Sequence, residues 1–186
     1  MAGIGDQKID WKAIHKKLPY QRRKKSEEEY KARMKMFSQF DPNGNGYLSL
    51  AEVDKGIRDV LQLDKLFDCK PAIMRAFQAA KAKGKSKSKV SDDYIEKNEF
   101  RYFLWSLRQY FEYWVMFDRA DKDDDRRIDY DEFKKAIPMI EKWGVKVLDP
   151  AKAFRQIDRN GGGIILFDEF AAWAIKKNLD LEDDDD

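Results

Sequence analysis

The chain has 186 residues, 42% hydrophobic, 13% aromatic and 39% charged. That content supplies a core and excludes global disorder, because disordered chains lack groups worth burying. No run of about 18 apolar residues codes a transmembrane helix, and the one cysteine, Cys69, excludes an internal disulfide and fits a reducing compartment. The first residues hold no apolar stretch of signal-peptide length, so a soluble cytoplasmic protein is expected. The net charge of +2 hides a segregation. Residues 1–40 carry eleven Lys/Arg against five Asp/Glu, and residues 121–186 carry twelve against eighteen. Charge polarised in this way suits opposite faces for different partners.

Trp11, Ile14 and Leu18 recur at helical spacing and predict a short amphipathic helix ended by Pro19. Ser26, three residues before Glu29, reads as a capping box. The helix it opens carries Met34, Phe37 and Phe40 and stops near Asp41, where Pro42 and Gly44 interrupt it. Three further interruptions follow: a basic low-complexity run at 81–89, Asp121 to Arg127, and Asn160 to Gly163. Apart from short apolar pieces in the loops, every segment between them reads as helix. Phe100 to Phe117 holds nine aromatics in eighteen residues with neither Gly nor Pro. One long or gently broken helix is expected there, with rings on several sides holding two halves together. The final charge block from Asp180 reads as a mobile tail.

The interruptions share a template. A hard cation such as Ca²⁺ takes six to eight oxygens, and a twelve-residue loop supplies them from positions 1, 3, 5, 7 (backbone), 9 and 12, with Gly at 6. In the first loop these positions are Asp41, Asn43, Asn45, Tyr47, Ser49 and Glu52, with Gly46 at 6 and Leu48 at the β-bridge position 8. The third gives Asp121, Asp123, Asp125, Arg127 (backbone), Asp129 and Glu132, with Ile128 at 8. Five acidic side chains on one turn repel one another unless a cation neutralises them. Arg126 stands where Gly is expected and must accept a positive φ, costing about 1 kcal/mol. The competing readings are an Asn/Gly-rich turn for the first loop and a solvated acidic turn for the third.

The fourth loop gives Asp158, Asn160, Gly162, Ile164 (backbone), Leu166 and Glu169, with Gly163 at 6. Gly162 and Leu166 remove two side-chain ligands, so calcium binding competes with a degenerate loop kept to pair with the third. The second repeat reads as a non-binder. Phe77 points to Lys81 as position 1, Ile95 stands at 8 and Glu99 at 12, but the span is nineteen residues rather than twelve. Lys81, Lys83 and Lys85 fall where carboxylates belong, which leaves this unit a structural partner for the first loop.

These repeats identify the chain as an all-α protein of two EF-hand pairs, one unit degenerate, with short β-bridges between paired loops. The flanking words resemble the calflagins, the flagellar calcium-binding proteins. They are Trp11 to Ile14 ahead of Leu18-Pro19, Val115 to Asp118, Glu132 to Pro138 with Trp143 to Val145, and Phe167 to Phe170 with Trp173-Ala174. The likeness covers roughly residues 9–179 and is densest after residue 111. Expected boundaries are a basic extension at 1–25, pairs at 26–108 and 109–179, and an acidic tail at 180–186. The resemblance implies a calcium sensor of cilia or flagella. Acylation of the N-terminus, common to that family, needs Gly after the initiator Met; Ala2 stands there, so N-myristoylation is not supported.

The leading functional expectation is a sensor or adaptor that binds two to three Ca²⁺, with Mg²⁺ a candidate occupant at rest. It would change shape and engage a protein target, cytoskeletal or axonemal by resemblance. Met34, Met36, Met74, Met116 and Met139 could line a groove, though core filling accounts for most. A static component or calcium buffer of an axonemal assembly is the alternative. The basic segment 22–25 suits weak contact with anionic lipid. Catalysis is disfavoured: His15, the only histidine, stands among lysines on a short amphipathic helix and reads as solvated, and no phosphate-loop spacing occurs. Nucleic-acid binding is disfavoured by the acidic half.

Overall fold

The computed structural model describes residues 3–20, 27–84, 91 and 93–181. The expected Ser26 cap, the 22–25 basic patch, Ala2, most of the 81–89 lysine run and residues 182–186 lie outside the described residues. Helix α1 (Trp11–Lys17) buries Trp11 and Ile14, and Leu18 follows it into the core. Helix α2 (Glu27–Phe40) opens on three glutamates that favour its positive end and buries Phe37 and Phe40 near its close. Strand β1 (Tyr47–Ser49) leads into α3 (Leu50–Gly56), where Ser49 and Glu52 form the capping box.

A five-residue π-turn, Ile57–Leu61, extends α3 and ends at Gln62 with φ 52°. The Lys17 Nζ donates to the carbonyls of Leu61 and Gln62 at 2.8 and 3.1 Å, placing a cation on the negative end of that segment. Next come α4 (Asp64–Phe67), α5 (Lys70–Gly84) and β2 (Tyr94–Glu96). The aromatic stretch is one continuous helix, α6 (Lys97–Ala120). It is followed by α7 (Tyr130–Lys142), α8 (Pro150–Ile157) and α9 (Phe167–Lys177). The start of α8 follows from Asp149 as cap and Pro150 at the first helical position.

Four helix-loop-helix units result, and their loops pair. β1 and β2 run antiparallel with Leu48 opposite Ile95. Ile128 and Ile165 form an isolated antiparallel bridge. The bridges expected at loop position 8 are therefore present.

The chain groups into two compact units, Lys12–Phe111 and Met1–Trp11 with Glu112–Asp186. The division falls inside α6, and each half of that helix feeds its own core. Phe100 meets Phe37 and Phe40 edge-on at 5.3 and 5.4 Å and stacks on Phe103 at 6.1 Å. In the other unit, Trp114 and Phe117 meet Phe167 at 4.9 and 5.7 Å, and Phe117 meets Phe170 at 5.8 Å. The acidic end, expected to be mobile from Asp180, starts packed. Leu179 and Leu181 are buried, Asp180 N–H donates to the Trp143 carbonyl, and Leu181 N–H donates to Glu112 Oε1 at 2.9 Å. Leu181 in that charge block, with Leu179 just before it, has a core to enter, which composition alone did not reveal.

Gly56 lies in α3 with ordinary helical dihedrals, so replacing it with Ala would normally stabilise the helix by about 0.5–1 kcal/mol. Here a Cβ would overlap the buried Phe40 ring. Overpacking at about 1–3 kcal/mol outweighs the helix gain. Gly56→Ala is expected to lower unfolding free energy by about 1–2 kcal/mol in a denaturant titration.

Candidate metal centre

Three loops adopt one backbone course. Positions 4 and 6 have positive φ in each: Gly44 and Gly46 at 69° and 88°, Asp124 and Arg126 at 59° and 67°, Gly161 and Gly163 at 70° and 77°. Arg126 thus takes the strained conformation expected of it. Asp124 is a second strained residue that the template does not mark, because position 4 is not a ligand position. The third loop holds two non-glycine residues left-handed at about 1 kcal/mol each, where the others use glycine.

That course turns successive N–H groups inward. Position 1 is buried in all three loops, with Asp41, Asp121 and Asp158 only 7–8% exposed. Each accepts the N–H of position 6, from Gly46, Arg126 and Gly163, at 2.9, 2.8 and 2.9 Å. Position 3 accepts the N–H of position 5: Asn43 from Asn45, Asp123 from Asp125, Asn160 from Gly162. Glu52, Glu132 and Glu169 reach back from the first turn of the exiting helix to the N–H of Ser49, Asp129 and Leu166 at 2.9–3.1 Å. Their other oxygen meets the loop start. Glu52 Oε1 accepts the Asn43 amide, Glu132 Oε1 the N–H groups of Lys122 and Asp123, and Glu169 Oε1 those of Arg159 and Asn160.

The third loop stands apart in charge. Carboxylate oxygens of Asp121, Asp123 and Glu132 lie within 4.8 Å of one another. Asp121 Oδ2 has the Arg126 N–H, but Oδ1 is buried without a hydrogen-bond partner among the described residues. Burial, opposed by the Arg126 N–H and more weakly by those of Asp124 and Asp125 and helped by the Glu132 charge, pushes the Asp121 carboxyl up to about 6. Asp125 and Asp129 stand outside this convergence: Asp125 donates its N–H to Asp123, and Asp129 caps α7 by accepting the Glu132 N–H. In the first loop Ser49 Oγ also donates to Glu52 Oε2 at 2.8 Å. Tyr47 lies in β1 with its ring 4.9 Å from Tyr94, and Arg127 and Ile164 each precede a bridge residue. Gly162 and Leu166 offer the fourth loop their backbone N–H groups only.

Residues 14–107 match the family model described as the FCaBP EF-hand domain, and residues 113–175 match an EF-hand domain pair. The chain is 40% identical over 178 residues to the "Flagellar calcium-binding protein" of Trypanosoma cruzi, covering 95% of this chain and 83% of that relative. It is also 40% identical over 183 residues to "Flagellar calcium-binding protein TB-24" of Trypanosoma brucei brucei, covering 97% and 83%. The chain belongs to the flagellar calcium-binding protein, or calflagin, family. This calflagin is accordingly an all-α, calcium-binding protein of two EF-hand pairs and not an enzyme. Among the described residues no helix is long and apolar enough to cross a membrane.

Several groups of the calflagin escaped the sequence reading. His15, read as solvated, accepts the Arg108 Nε–H at 2.8 Å, and burial with the Arg108 charge lowers its pKa. Residues 3–6 dock on the end of α6 beside the third loop: Gly5 N–H donates to Asp118 Oδ2 at 2.6 Å and Arg119 Nε donates to the Gly5 carbonyl at 3.0 Å. A Cβ on Gly5 would come within 2.7 Å of Arg119, so the close approach needs glycine; the Gly3-Ile-Gly5 spacing was its one visible signal. Of the methionines, Met116 is fully buried as core, whereas Met74 is 41% exposed. Met74 lines a groove of about 470 Å³ with Leu50, Ala51 and Ile73.

Asp121 binds a proton more tightly in the folded protein, at about 6, than an ordinary aspartate does at 3.8. Its ionisation therefore penalises the metal-free fold above pH 6, and the penalty fades as pH falls towards 4. In calcium chelator, Asp121→Asn is expected to melt higher than the parent at pH 7.5. The two melting temperatures should converge near pH 4, as thermal scans across that range would show.

Proposed function

We propose that this calflagin is a calcium-responsive adaptor of the flagellum. The first and third loops would each take one Ca²⁺ and the fourth a weaker third, with Mg²⁺ as the resting occupant. In the first loop the ligands would be Asp41, Asn43, Asn45, Ser49 and Glu52 with the Tyr47 carbonyl. In the third they would be Asp121, Asp123, Asp125, Asp129 and Glu132 with the Arg127 carbonyl. Asp158, Asn160, Glu169 and the Ile164 carbonyl would serve the fourth. The pairs they belong to would span 26–108 and 109–179.

One observation carries the reading: three carboxylates converge in the third loop around a buried Asp121 oxygen that has no hydrogen-bond partner among the described residues. Such a group is costly in the metal-free state, and a divalent cation removes both the repulsion and the unmet oxygen. Two strained residues hold the loop in the same course as its glycine-bearing counterparts, which is wasteful for a merely solvated turn. Binding would then do work through the exiting helices. In the first unit α3 leaves the loop directly, and its Leu50 and Ala51 form one wall of the groove that Met74 lines. Shifting that helix resizes an apolar surface suited to a partner's apolar helix face. The flagellar setting comes from the names of its relatives.

Calcium titration calorimetry on the chain and on Glu52→Gln, Glu132→Gln and Glu169→Gln tests this. Two stronger sites should disappear with Glu52 and Glu132, and a weaker one with Glu169. An unchanged stoichiometry in Glu132→Gln would refute the reading of the third loop. An adaptor should also gain binding of an apolar dye when calcium is added, whereas a static module or buffer would barely change.

A further inference from the structure

We infer that the Lys81 ammonium is the built-in cation of the second loop. It holds Glu99 as a bound ion would hold the equivalent glutamate, and so keeps β2 paired with β1 whether or not calcium is present. Lys81 lies on the last turn of α5 and Glu99 on the first turn of α6. The ammonium donates to both carboxylate oxygens, at 3.1 and 3.0 Å. The pair is buried, with side-chain exposures of 7% and 1%.

The placement follows the template of the other loops with the sign of one residue reversed. Counted from Phe77, Lys81 stands where Asp41, Asp121 and Asp158 stand, and it is as buried as they are. At that place a carboxylate ligates a cation; here the side chain is itself the cation. Glu99 makes the same tether as its three counterparts, accepting the Glu96 N–H at 2.9 Å. What differs is the partner of the remaining carboxylate face. Glu52 meets a neutral amide and Glu132 and Glu169 meet backbone N–H groups, whereas Glu99 meets a full positive charge.

A buried carboxylate without a counter-charge is strongly destabilising, and a bidentate ammonium at this distance meets the need from within the chain. The lysines of this loop therefore do more than repel calcium. Lys83, the next lysine, sits 3.7 Å over the Trp105 ring rather than on Glu99. Because Glu99 ties the Glu96 N–H, it fixes the end of β2 and with it the register of Ile95 against Leu48, the bridge residue of the first loop. The first loop thus faces a partner that is already set, and the pair answers calcium with one ion and without cooperativity. That last consequence rests on the proposed calcium site at Asp41–Glu52; the register claim does not.

Amide hydrogen exchange of Leu48 and Ile95 in calcium chelator tests the register claim. Lys81→Met alone strands a buried carboxylate, so the informative variant is Lys81→Met/Glu99→Gln. It is neutral, and its amide oxygen can still accept the Glu96 N–H. Lys81→Arg, which keeps the charge, should retain the parent protection. The neutral double variant should exchange both amides at least tenfold faster, with core amides of α6 unchanged. Parent-like protection in the double variant, or tenfold loss in Lys81→Arg, would overturn the inference. Calorimetry on the same proteins reads the consequence: first-loop affinity, defined by the heat that Glu52→Gln abolishes, should fall at least tenfold in the double variant. Absence of such heat in the parent would remove the calcium reading of the first loop and leave the exchange result to decide the Lys81–Glu99 pair.

Discussion

In all four helix-loop-helix units, a glutamate in the first turn of an exiting helix bends back to the backbone N–H three residues before it. Glu52, Glu99, Glu132 and Glu169 all make this bond, at 2.9–3.1 Å. One oxygen satisfies an orphan donor at the helix start, and the other is left facing the loop. The remainder of each unit is organised by what meets that second oxygen: a neutral amide in the first loop, backbone donors in the third and fourth, an ammonium in the second. A carboxylate aimed inward requires positive charge or hydrogen bonds, and the four loops meet that one electrostatic demand in three ways.

This ordering explains why the third loop is the most charged and the most strained. Asp121, Asp123 and Glu132 crowd together, while Asp124 and Arg126 hold left-handed conformations that glycine would adopt freely. That crowding and strain are what the proposed cation would offset. The first loop is the milder case, since Asn43 and Asn45 stand where the third loop has Asp123 and Asp125, and a glycine relieves each strained position. Its surroundings are firmer, with a two-stranded ribbon against β2 and a groove along the helix it feeds.

Helix α6 couples composition to architecture in a similarly direct way. So many rings cannot share one stripe of a helix, and they do not: Phe100 and Phe103 belong to one core, Trp114 and Phe117 to another. Edge-on ring contacts add specificity beyond burial itself. The end of α6 also carries Asp118 and Arg119, which fasten residues near the N-terminus beside the third loop. A segment that composition marked only as basic therefore has a defined seat.

Local chemistry was legible in the residues themselves. Oxygen donors at fixed spacing, glycine at the turn, an apolar residue at position 8 and a glutamate opening each helix named the loops, their pairing and the strain at Arg126, because each depends on neighbours within about twelve residues. Contacts made across long separations were not legible. Lys81 reads as a repulsive loop residue until α5 is seen to run past it and set its ammonium on Glu99, 18 residues away. His15 reads as solvated until Arg108 arrives from α6, and Leu181 reads as tail until Glu112 receives its N–H. Spacing along a chain encodes what a turn can hold; only folding decides which distant charge a buried group must meet, because that partner is chosen by packing rather than by order.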